Sequence, residues 1–167
     1  MYNKIMVPLD GSKLAECVLP HVDGFVRGSQ VEIIIFVRVI EPISTGYSER
    51  SNITVYPAAY KDMKKYANLI EGKKKSSAEI YLKEVVGRLK QNGVKYRTEV
   101  LVGKVADRLI DYVETNGIDL VLIATHGRSG VSRWVRGSIA DRVLRSSRVP
   151  VLMVRAKGKM SLYVCSS

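Results

Sequence analysis

Cysteine and histidine are scarce in this chain: Cys17 and Cys165, His21 and His126, among 167 residues. The cysteines have neither CxxC spacing nor a histidine clustered with them as a metal site needs, so they are expected to be reduced thiols in a cytoplasmic protein. No run of about 18 or more apolar residues occurs, which excludes a membrane-spanning helix. The opening MYNKIMVPLDGS enters a strand pattern directly and lacks the charged start and long apolar core of a signal peptide. There is no internal repeat, no low-complexity tract and no GxxxxGK[ST] phosphate loop. Acidic residues are the minority, 16 against 27 Lys and Arg, for a net charge of +11 and a pI near 9.7. That balance suits an anionic partner such as nucleic acid, anionic lipid or a nucleotide, without choosing among them.

What is present reads as one domain. The length, with 46% hydrophobic residues, supports one well-buried core. KIMVPLDGS opens with a short strand, Ile5 to Val7, and breaks at Pro8 and Gly11. Ser12 is placed to cap a helix carrying Leu14, Cys17, Val18 and Val22, with Pro20 expected to kink it. VEIIIFVRVIEP is a nearly continuous β-branched run, as in a strand covered on both faces. Residues 43–56 are polar and aperiodic and read as a loop insertion, followed by a helical period from Pro57 to Gln91 that Asn92–Gly93 should stop. Gly72 is a candidate bend in that helix, and its KKKSS run reads as a solvated face.

KYRTEVLVG is a third strand, VADRLIDYVETNG an amphipathic helix closed by Asn116–Gly117, and DLVLIATHG a fourth, buried strand. A last helix begins near Ser138, and Pro150 leads into the strand VLMVR. Strict alternation of strand and helix implies a doubly wound α/β fold: five parallel strands, expected in the order 3-2-1-4-5, with helices on both faces. The domain is expected over residues 1–158, with 159–167 as a C-terminal tail.

Ligands of such sheets bind beyond the carboxyl ends of the strands, where strand order reverses. Two loops there carry chemistry: PLDGS after the first strand and ATHGRSGVSRWVRGS, Ala124 to Ser138, after the fourth. The second combines glycines that let backbone N–H groups approach an oxyanion, the start of a helix with its unpaired N–H groups, the Ser138 hydroxyl, and Arg128, Arg133 and Arg136. It reads as a phosphate cradle. Simpler roles exist for several of these residues: Asp10 as a turn residue, Val39 as core, His126 as a turn residue, and Trp134 as a cover over the loop.

With its MVPLDGS opening, its ATHGRSGVSRWVRGSIADRVLRSSRVPVLMVR stretch and its strand order, the chain resembles the universal stress protein family from about Lys4 to Arg155. ATP-binding members of that family carry G-x2-G-x9-G-(S/T), and the matching positions here are Ala124, Gly127, Gly137 and Ser138, with alanine replacing the first glycine. The resemblance implies ATP, ADP or AMP as ligand, with Mg²⁺ arriving on the phosphates. It implies Pro8, Leu9 and Asp10 against the nucleoside, Val39 beside the adenine, and Gly127, Gly137 and Ser138 on ribose and phosphates, with Arg128 and Gly130 inside the motif. It also implies a stress-response regulator whose nucleotide occupancy sets a conformational or partner-binding state, with slow or no hydrolysis, and a homodimer through the last strand.

Two other classes fit the residues less well. An adenylyl-transferring enzyme of a related α/β group would carry SGGxDS or HxGH at the first loop, where this chain has LDGSK. A nucleic-acid-binding protein would account for the charge, yet no RNP1 or GXXG motif appears in a suitable context, which leaves a non-specific, salt-sensitive affinity.

Overall fold

The computed structural model describes residues 2–28, 30–43, 57–89, 93–125 and 138–156. Five short runs rich in valine, isoleucine and leucine become strands: β1 (Lys4–Pro8), β2 (Ile33–Ile40), β3 (Lys95–Val102), β4 (Leu120–Thr125) and β5 (Val151–Arg155). All pair in parallel in one sheet of order β3-β2-β1-β4-β5. Successive side chains of a strand point to opposite faces, so the apolar runs feed two cores. Ile5, Val7, Ile34, Phe36 and Leu122 pack on one face against Val18, Val22, Val26, Leu82 and Val85. Met6, Ile35, Val37, Val121 and Ile123 pack on the other against Leu109, Val113, Ala140 and Val143. The sheet is the doubly wound arrangement the alternation implied, with α1 (Leu19–Gly28) and α2 (Pro57–Gly87) over the first face and α3 (Val105–Thr115) and α4 (Ser138–Ser146) over the second.

The first helical segment differs from its expected form. Instead of one kinked helix there is a 3-10 turn at Ala15–Val18 followed by α1, and Pro20 lies in the first turn of α1. An N–H in a first turn has no intrahelical acceptor, so proline costs nothing there and marks a start, not a kink. Ser12 does cap the segment: its Oγ accepts the Ala15 N–H at 3.1 Å. α2 ends at Gly87, short of Asn92–Gly93, because Arg88 and Leu89 donate to Val85 and Val86 in tightening three-residue steps. The helix runs unbroken through Gly72. α3 stops where expected, with the Asn116 backbone and side chain both donating to the Tyr112 carbonyl and Gly117 at φ +60°.

At 31 residues α2 is about 46 Å long. Its anchorage is one-sided: Ala78, Leu82 and Val85 are fully buried, whereas Met63, Tyr66 and Leu69 in its first half are exposed. A salt bridge of 3.0 Å between Arg88 and Glu16 ties the end of α2 to the 3-10 turn. Among the described residues, no helix is long and apolar enough to cross a membrane.

Candidate functional site

Strand order reverses between β1 and β4, and there the ladder parts. β1 pairs β4 at Ile5–Leu120 and Met6–Val121, while its ladder with β2 runs on to Pro8–Val37. Leu9 prolongs that second ladder by donating its N–H to the Val37 carbonyl at 2.8 Å. A crevice of about 460 Å³ lies at the carboxyl ends of these strands. Its volume falls in the range of small-ligand sites, roughly 300–1,000 Å³.

One wall is apolar: Val37, Val39 and Ile123 from the sheet, Val105 and Leu109 from α3, and Ile139 and Ala140 from α4. The other is formed by Ala15, Arg38 and Lys74, and Asp10 and Glu41 also line the crevice. Ser138, the first residue of α4, borders it as well, so the end of that helix carrying unpaired N–H groups and partial positive charge is turned toward the ligand space. The combination offers an apolar wall beside donors suited to an anion.

The loop after β1 is held by its own side chains. Asp10 Oδ1 accepts the Ser12 N–H at 2.8 Å, and Gly11 takes φ +89°, a backbone conformation that a side chain disfavours. Asp10 is thus both a turn former and an exposed carboxylate at the crevice. Behind this loop, burial and the nearby Glu16 carboxylate push the Tyr81 phenol well above its ordinary range, which keeps the ring neutral. Arg88 holds the Glu16 carboxyl below its ordinary range.

Of the residues expected at the site, Pro8, Leu9, Asp10, Val39, Ala124 and Ser138 line this one crevice. Gly127, Arg128, Gly130 and Gly137 lie outside the described residues, as do His126, Arg133, Trp134, Arg136 and Cys165. Cys17 is half-buried, and burial raises its thiol pKa. Among the described residues no group of three or more His, Cys, Asp or Glu is placed to hold a metal ion.

Sequence reasoning missed Arg38, Glu41 and Lys74. A signal for the first was available: an arginine inside the otherwise apolar run IIIFVRVI is costly to bury and so carries a positional meaning. Lys74 was hidden in the KKKSS run, which the sequence presents as solvated; the residue is exposed and also reaches the crevice.

Comparison with known proteins places these features in a wider group. The sequence profile of the Universal stress protein family matches residues 1–155. The universal stress protein MJ0577 of Methanocaldococcus jannaschii is 26% identical over 158 residues, covering 94% of this chain and 97% of the relative. The solved structure of MJ0577 aligns with TM-score 0.73 and 25% identity over 95% of this chain and 99% of its own. A universal stress protein solved in complex with cAMP aligns with TM-score 0.64 at 18% identity, covering 93% of this chain and 98% of its own. A family protein of Arabidopsis thaliana solved with AMP bound aligns with TM-score 0.56 at 16% identity, covering 93% of each chain.

Proposed function

The chain belongs to the universal stress protein family, and from that premise we propose that it binds an adenine nucleotide, ATP, ADP or AMP, in the crevice between the carboxyl ends of β1, β2 and β4. The observation that carries this reading is the pairing of an apolar slot at Val39, Val105 and Ile139 with the start of α4 at Ser138 in one cavity of about 460 Å³. A purine needs the first and a phosphate the second. Structural relatives crystallised with cAMP and with AMP support the same ligand class.

In this reading Pro8, Leu9 and Asp10 contact the nucleoside and the backbone of Val39 borders the adenine. Ala124, Gly127, Arg128, Gly130, Gly137 and Ser138 serve ribose and phosphates. Ala124 in place of the first motif glycine adds only a methyl group. Any magnesium would be carried by the phosphates. Nucleotide occupancy sets a conformational or partner-binding state in a stress response, and hydrolysis is slow or absent.

Calorimetric titration with ATP, AMP and GTP, each with and without Mg²⁺, tests the ligand. Saturable binding of the adenine nucleotides is expected, and a response to GTP as strong as that to ATP would refute the adenine assignment. The same reading includes a homodimer through β5, an edge strand that exposes Leu152, since an unpaired apolar edge is a site for pairing with another chain. Light scattering at micromolar protein that finds only the 18.6 kDa species would refute the dimer.

A further inference from the structure

The side chain of Arg38 is unusually constrained for an arginine beside a cavity. It follows Phe36 on the α1–α2 face of β2, and its Cζ lies 5.2 Å from the centroid of the Tyr81 ring on α2. A Cβ built on Gly11 would lie 3.0 Å from Cζ, 3.0 Å from Nη2 and 3.1 Å from Nη1. A point nearly equidistant from those three atoms lies over the plane of the guanidinium and not off its edge. The guanidinium thus has Gly11 over its plane and the Tyr81 ring within cation–π distance, and its edge, which carries the N–H donors, is the part suited to meet a ligand.

Among the described residues no hydrogen bond or ion pair engages the guanidinium. The two carboxylates lining the crevice do not pair with it, and one of them, Asp10, already accepts the Ser12 N–H through Oδ1. Lys74 adds a second cation to the same wall. A planar fork held against Gly11 and Tyr81 has given up part of its rotamer freedom in advance. It matches an acceptor with two oxygens in one plane, a phosphate or carboxylate.

We propose that Arg38, assisted by Lys74, forms an oxyanion subsite on the β2–α2 wall of the crevice, a second set of donors for the phosphate that the glycine loop and the start of α4 also serve. It rests on the nucleotide reading insofar as the oxyanion is the ligand's own phosphate; a free inorganic phosphate ion satisfies the same chemistry. Because Tyr81 and Lys74 both belong to α2, an anion held here touches the helix whose first half is exposed.

The experiment compares AMP, adenosine and inorganic pyrophosphate on the wild type, Arg38→Met, Arg38→Lys and Lys74→Met, with near-UV circular dichroism to verify the fold of each variant. For charge-assisted hydrogen bonds to a phosphate, Arg38→Met is expected to weaken AMP about ten- to a hundredfold. Adenosine should change by less than about twofold. Arg38→Lys should recover part of the loss, since it keeps the charge without the fork. Lys74→Met, on an exposed position, should give a smaller loss confined to AMP. An Arg38→Met variant that loses AMP and adenosine equally, or neither, overturns the subsite while the nucleotide reading stands. If the wild type binds no adenine compound, the nucleotide reading falls. Pyrophosphate then decides the subsite: binding that Arg38→Met removes keeps it, and no binding, or binding indifferent to the substitution, overturns it.

Discussion

Replacing Gly11 with alanine tests how tightly the loop after β1 is tied to the neighbouring strand. Two costs can be worked from the structure. At φ +89° a residue with a Cβ incurs about 1–2 kcal/mol. The new methyl would also stand 3.0 Å from the Arg38 guanidinium carbon, inside the optimal separation of about 3.5–4.0 Å, so the guanidinium must give way beside Tyr81. Overpacking of this kind costs on the order of 1 kcal/mol or more. Against these, alanine restricts the unfolded chain and returns about 0.4–1 kcal/mol. The net expectation is a destabilisation of about 1–3 kcal/mol in urea unfolding at constant m-value. In an Arg38→Ala background the steric share disappears and the cost of Gly11→Ala falls toward about 1 kcal/mol, a coupling that a double-mutant cycle reads directly. A Gly11→Ala variant within about 0.5 kcal/mol of the wild type would refute the backbone constraint. An identical cost in both backgrounds would refute the contact with Arg38.

Leu82→Ala, which empties a fully buried position under α2, should cost about 2–5 kcal/mol, whereas Leu69→Ala, 56% exposed on the same helix, should stay within about 0.5 kcal/mol; equal losses in thermal melts would show that α2 is packed along its whole length. Glu16→Gln should reveal the ion pair with Arg88 through pH. Because the folded-state pKa of Glu16 is depressed, the wild type's advantage is full above the ordinary value of 4.5 and is lost as pH falls through the folded value. A stability difference between wild type and variant that stays constant across that acid range would contradict the pairing.

The sequence by itself determined the elements and their order. β-branched runs such as IIIFVRVI and LVLIAT specify buried strands through local periodicity, and Asn116–Gly117 stops α3 through local backbone preference, so both are legible without any neighbour in space. Alternation of strand and helix then leaves few arrangements, and the doubly wound sheet follows, with the loops after β1 and β4 at one end. Local rules failed at Pro20, which is neutral or disruptive according to where in a turn it falls, a matter of one or two residues. The sequence also marked Asp10, Val39, Ala124 and Ser138, whose convergence on one crevice required β1 to lie between β2 and β4. Tertiary structure alone decided the character of the opposite wall. Gly11 reads as a turn glycine in any context, and Arg38 as a lone charge in an apolar strand. It is the parallel register pairing Pro8 with Val37 that brings Arg38 beside the loop after β1, and the packing of α2 that lays Tyr81 against it. Pairing register and helix packing depend on contacts between residues distant in sequence, which no local window of the chain encodes.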